Sequence, residues 1–130
     1  MIVLDASAVI EMLLQTPAGG QVEVRITSRR ELLHAPHLID LEVTQVFRRL
    51  VAASVVTRAR GREALEDLRD IPLVRHSHTI LLDRIWQLRD NFTAYDAAYV
   101  ALAEELDAPL LTCDRKLAAP GQHRARIEVI

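Results

Sequence analysis

Short apolar runs and helix-like apolar stripes alternate along the whole 130-residue chain. Ile2 to Asp5 reads as a short buried strand, and Ser7 to Leu14 as a helix starting just after Asp5. Pro17-Ala-Gly-Gly20 predicts a loop. Gln21 to Arg30 follows as an amphipathic helix, with Val22 and Ile26 four residues apart. Leu32 to Ala35 predicts a second strand, ended by Pro36. From His37 to about Val55 the apolar positions Ile39, Val43, Val46, Phe47 and Leu50 form a stripe at the helical period. Thr57 to Arg69 predicts a mostly exposed helix, with Arg62–Glu66 and Glu66–Arg69 as surface pairs of little energetic weight. A third strand at Pro72-Leu-Val-Arg75, helices at about 78–90 and 94–106, a strand at Leu110 to Cys113 and a last one at Arg126 to Ile130 complete the pattern.

Strands separated by helices require crossover connections, so the pattern predicts an α/β fold with a parallel sheet covered on both faces. No repeat, linker or low-complexity stretch interrupts it, and one domain over residues 1–130 is expected.

Composition narrows the function classes. Half of the residues are hydrophobic and the formal net charge is −2, so no basic coat for nucleic acid is present. All but one of the sixteen basic residues are Arg, whose planar fork suits phosphate, and a local Arg-lined groove remains compatible with the chain. The single cysteine, Cys113, excludes an internal disulfide and a cysteine-based zinc site. No apolar stretch approaches the length of a membrane span, and Met1-Ile-Val-Leu-Asp5 lacks signal-peptide character. A cytoplasmic protein is expected.

Four acids stand at the ends of apolar segments: Asp5, Glu42 in Leu38-Ile-Asp-Leu-Glu42, Asp96 in Thr93-Ala-Tyr-Asp96, and Asp114 after Pro109-Leu-Leu-Thr-Cys113. Each has an ordinary explanation. Asp5 can cap the following helix. Thr93 to Asp96 fits a capping box. Asp114 can open a turn before Arg115 and Lys116. Glu42 can pair with Arg49 or favour the positive end of its helix. In open parallel sheets, however, ligands gather beyond the carboxyl ends of the strands. Asp5 and Asp114 end strands on that edge, while Glu42 and Asp96 lie in first helical turns. Clustered carboxylates must hold protons or a cation, and the hard cation they suit is Mg²⁺.

At these residues the chain resembles the PIN-domain family, and more narrowly its VapC toxins. The matching segments are Ile2-Val-Leu-Asp-Ala-Ser-Ala8, Leu41-Glu42, Thr93 to Ala103, and Leu110-Leu-Thr-Cys-Asp114. The resemblance implies a three-layer α/β/α sandwich whose central parallel sheet has the strand order 3-2-1-4-5. It implies that Asp5, Glu42, Asp96 and Asp114 hold one or two Mg²⁺ or Mn²⁺ ions and hydrolyse RNA internally. It also implies pairing as a homodimer and silencing by a small cognate antitoxin of the VapB type. Ser7 and Thr112 match polar positions beside the acids. Where some relatives carry a further acid after the fourth, Arg115 and Lys116 stand in this chain.

In such a site no histidine base is required, and the five histidines form no i, i+4 metal pair. Arg49, Arg89, Arg115 and Lys116 are candidate phosphate contacts, from their nearness in sequence to the acids. A phosphoacceptor receiver domain is a rival reading. It needs paired acids after the first strand and a Lys after the fifth, and both are absent. A binding protein without catalysis and a PIN-like nuclease acting on DNA or in RNA processing remain as alternatives.

Overall fold

The computed structural model describes residues 1–130. Strands β1 (Ile2–Leu4), β2 (Leu33–Pro36), β3 (Leu73–His76), β4 (Leu110–Thr112) and β5 (Ile127–Val129) form one sheet in the order β3-β2-β1-β4-β5. Every neighbouring pair is parallel. The expected α/β sandwich and its strand order are borne out. Val3 lies opposite both His34 and Leu110, so β1 is the central strand. The chain leaves β1 towards β2 on one side and reaches β4 on the other. The gap between β1 and β4 is therefore where the strand order reverses, the place where such sheets form a crevice.

Helices α1 (Ala6–Leu13), α2 (Pro17–Ser28), α3 (Leu38–Ala52) and α4 (Arg58–Asp70) pack on one another, with α1 touching the other three. Helices α5 (Leu82–Gln87) and α6 (Ala94–Glu105) pack together, and α6 also lies on β1, β2 and β4. Residues 97–103 of α6 are all buried. A helix enclosed on every side needs small residues to approach its neighbours, and Ala97, Ala98, Ala101 and Ala103 provide them. Ile2, Val3 and Leu4 are fully buried because both faces of the central strand are covered. No helix is long and apolar enough to cross a membrane.

Element ends differ from the sequence expectation by a residue or two, as hydrogen-bonded boundaries commonly do. Two differences are larger. Pro17 to Gly20, expected as a loop, is the first turn of α2. Thr16 caps it by accepting from the Gly19 N–H at 3.0 Å, and Pro17 occupies the first helical position, where a missing N–H does no harm. Gly19 is there for close approach: a Cβ would run into the Glu11 carbonyl of α1. The expected helix at 78–90 is instead a 3-10 turn, Thr79–Leu81, followed by the six-residue α5.

Candidate acidic site

Asp5 follows β1 and is 5% exposed. Its backbone N–H donates to the Leu111 carbonyl at 3.0 Å, which continues the β1–β4 ladder past the strand end. Its Oδ2 accepts from the Ser7 N–H, the Ser7 hydroxyl and the Thr112 hydroxyl, the last at 2.9 Å. Both hydroxyls are tied to the chain after β4. Ser7 Oγ accepts from the Cys113 N–H at 2.9 Å, and Thr112 Oγ1 accepts from the Asp114 N–H at 2.9 Å. Two side-chain bridges thus fix Asp5 against the segment that carries Asp114. Asp114 in turn accepts from the Lys116 N–H at 2.9 Å, opening the 3-10 turn Arg115–Ala118.

Asp96 stands in the first turn of α6, with its N–H on the Thr93 hydroxyl at 3.2 Å. Burial, followed by the charges of Asp5 and Asp114, raises its carboxyl above the ordinary range, while Thr93 and Lys116 oppose the rise. Glu42 lies on α3, where burial, then Asp5 and Asp96, push its carboxyl from 4.5 up to about 7. Glu42 Oε1 is buried and has no hydrogen-bond partner. The pairing with Arg49 offered by the sequence does not form.

The fold therefore brings the four acids into one electrostatic neighbourhood: Glu42 feels Asp5 and Asp96, and Asp96 feels Asp5 and Asp114. It does not close them into a ready chelate, since no three His, Cys, Asp or Glu side chains converge tightly enough to ligate one ion. Like charges in a low-dielectric pocket repel, so carboxylates facing one another stand apart. The local roles expected of the acids are present as well: Asp5, Thr93 with Asp96, and Asp114 all cap.

The basic candidates are spread. Lys116 is near enough to act on Asp96. Arg49 shares a shallow groove with Glu42, Tyr95, Leu41 and Gln45. Arg115 is exposed beside Asp114. Arg89 is stacked 4.7 Å over the Trp86 ring and donates to the Trp86 carbonyl. Of the surface pairs expected on α4, Arg62–Glu66 forms at 3.2 Å and Glu66–Arg69 does not.

Three features escaped the sequence reading. Tyr99, fully buried on α6, has a hydroxyl without a partner. Its signal was present: it is the one polar side chain in the buried stretch 97–103 of an Ala-rich helix, three residues after Asp96. Asp40 accepts from Arg75 Nε at 2.7 Å and Nη2 at 2.8 Å. His34 Nδ1 and His76 Nε2 meet at 2.9 Å between neighbouring strands. Such pairs, remote in sequence, leave no periodic trace.

Comparison with known proteins agrees with this architecture. The PIN domain family matches residues 2–122. Ribonuclease VapC9 of Mycobacterium tuberculosis is 42% identical over 130 residues, covering 100% of this chain and 98% of that protein. Ribonuclease VapC12 of the same species is 42% identical over 130 residues, covering 100% and 99%. Among solved structures, PAE2754 from Pyrobaculum aerophilum superposes with a TM-score of 0.74 at 22% identity, over 98% of this chain and 83% of that one. VapBC2 from Rickettsia felis, bound to a DNA fragment from their promoter, gives 0.69 at 12% identity, over 99% and 98%. At those identities the two structures speak for the fold alone.

Proposed function

The chain belongs to the PIN-domain family, among its VapC ribonucleases, and on that basis we propose that it is a metal-dependent endoribonuclease, the toxin of a toxin–antitoxin pair. The observation that carries the reading is the cluster of acids beyond the ends of β1 and β4, where burial, followed by the charges of Asp5 and Asp96, raises the Glu42 carboxyl to about 7. Carboxylates forced together in this way favour a doubly charged partner. The donor set is all oxygen, which suits Mg²⁺ or Mn²⁺ and disfavours softer ions. The bare, buried Glu42 Oε1 is an acceptor awaiting a cation or a donor.

Asp5, Glu42, Asp96 and Asp114 would hold the ion or ions. When bound, such an ion would supply charge neutralisation at the scissile phosphate and acidification of a nearby water. The protein's own part is positional. Ser7 and Thr112 keep Asp5 in one orientation, and the Thr93 cap keeps Asp96 in the first turn of α6. Lys116, which acts on Asp96, Arg49, which shares a groove with Glu42, and Arg115 are the candidate donors to phosphate oxygens of the RNA strand. Arg89, already engaged with Trp86, is the weakest of these candidates.

A VapB-type antitoxin covering the pocket, a homodimer, a cytoplasmic site of action and a single PIN domain over residues 1–130 belong to the same proposal. The one contiguous core of 30 buried residues supports the last of these.

The test is cleavage of total RNA by purified protein with Mg²⁺ or Mn²⁺, comparing wild type with Asp5→Asn and Asp96→Asn. Both substitutions keep the shape of the side chain and are expected to abolish cleavage while the chain stays folded by circular dichroism. Cleavage at the wild-type rate in both variants would sink the proposed site.

A further inference from the structure

Tyr99 carries a hydroxyl that the core does not need. The residue is 0% exposed, and its phenol oxygen meets no hydrogen-bond partner. A bare buried hydroxyl is destabilising, whereas Phe would fill the same volume without that penalty. Buried polar atoms in native proteins almost always find partners, so an orphan in a functional pocket points to a partner that arrives with function.

The groups able to accept from this phenol can be taken in turn. Glu42, Asp5, Asp96 and Asp40 are the charges that act on it, Glu42 foremost. Both Asp40 oxygens are occupied by Arg75. Asp5 Oδ2 already receives three donors from Ser7 and Thr112. Asp96 is engaged by Thr93. Glu42 alone has a buried oxygen with nothing on it. Position agrees: Tyr99 is three residues beyond Asp96, and helical side chains lean towards the N-terminus, so the phenol covers the turn that bears Asp96.

We propose that Tyr99 is a positioning residue for the acidic site: its hydroxyl donates to one oxygen of Glu42 and so presents the other oxygen to a divalent cation. This inference rests on the metal-dependent reading above. Outer hydrogen bonds of this kind orient ligating carboxylates in metal sites generally.

The experiment is calorimetric titration of the full chain with Mn²⁺ alone, using wild type, Tyr99→Phe, Glu42→Gln and the double variant, with thermal unfolding of each ion-free protein. Tyr99→Phe is expected to weaken Mn²⁺ binding by about 10- to 100-fold while leaving the ion-free melting temperature unchanged or higher. In the Glu42→Gln background the same change should produce no further loss, because the hydroxyl acts through Glu42. Wild-type affinity in Tyr99→Phe, or an equal loss in both backgrounds, overturns the inference and leaves the metal site standing. A Tyr99→Phe chain that melts lower and loses affinity in both backgrounds assigns Tyr99 to packing and also overturns it. Absence of Mn²⁺ binding to wild type removes the metal site itself, and this inference with it.

Discussion

At the scale of single residues, the acids do two jobs at once. Asp5 caps α1 and forms one wall of the pocket, and the hydroxyls of Ser7 and Thr112 make the two roles consistent. Thr112→Val keeps the shape but removes the donor to Asp5 and leaves the Asp114 N–H without its acceptor. A loss of about 1–3 kcal/mol in urea unfolding is expected, together with slower RNA cleavage, since Asp5 and Asp114 lose their common anchor. Glu42 makes a separate prediction about pH. Its folded carboxyl is raised from 4.5 to about 7, so between those values the folded chain keeps a proton that the unfolded chain releases. The stability this contributes is full below the lower value and is lost as pH rises through the upper one. Asp96, also raised, acts in the same direction. The ion-free protein should therefore melt at a higher temperature near about pH 5 than near about pH 8, and Glu42→Gln should shrink that difference. A difference of undiminished size in the variant would show that other groups set it.

At the scale of elements, what the sequence made legible was what repeats. The strands show as short apolar runs and the α3 stripe follows the 3.6-residue period, and all five strands were found from such runs. What it hid depends on contacts between elements. Pro17-Ala-Gly-Gly20 has the composition of a loop, and only the packing of α2 against α1 explains its helical state. Gly19 is required by proximity to the Glu11 carbonyl, whereas a Cβ at Gly20 would meet nothing within 4 Å. The neighbouring glycines should thus respond oppositely. Gly20→Ala is expected to stabilise by roughly 0.5–1 kcal/mol, the usual preference of a helix interior for Ala. Gly19→Ala must push α1 and α2 apart and should destabilise by about 1–3 kcal/mol. Chemical denaturation of the two variants decides the matter, and equal shifts of the same sign would contradict the close approach. Helix α5 was overestimated for a related reason. Leu81, Leu88 and Phe92 are buried from a 3-10 turn and the turns after α5 rather than from one continuous helix.

At the scale of the whole molecule, the parallel sheet does what no local segment can: it gathers acids from positions 5, 42, 96 and 114. The first three were readable because strand ends and helix starts carry signatures, and Asp114 because it closes an apolar run. Tyr99 and the Asp40–Arg75 pair were not, because partners so far apart in sequence are identified only by folding. The gathered charge also makes a prediction for the entire chain. Its net charge is only −2, so diffuse attraction of cations to the surface is weak. Stabilisation by a divalent ion must then come from the acidic site, where burial, then Asp5 and Asp96, raise Glu42 to about 7. An ion that binds the folded chain alone, at 100 times its dissociation constant, adds about 2.7 kcal/mol. For a chain of this length that corresponds to a rise in melting temperature on the order of 10 °C. Mn²⁺ should produce such a rise, NaCl at equal ionic strength should not, and Asp5→Asn should remove most of it. In the absence of ion, Asp5→Asn should melt no lower than wild type by more than its lost hydroxyl contacts require, because one of the repelling charges is gone. An Mn²⁺ response that survives in Asp5→Asn would place the ion elsewhere on the molecule and detach the acidic crevice from metal chemistry.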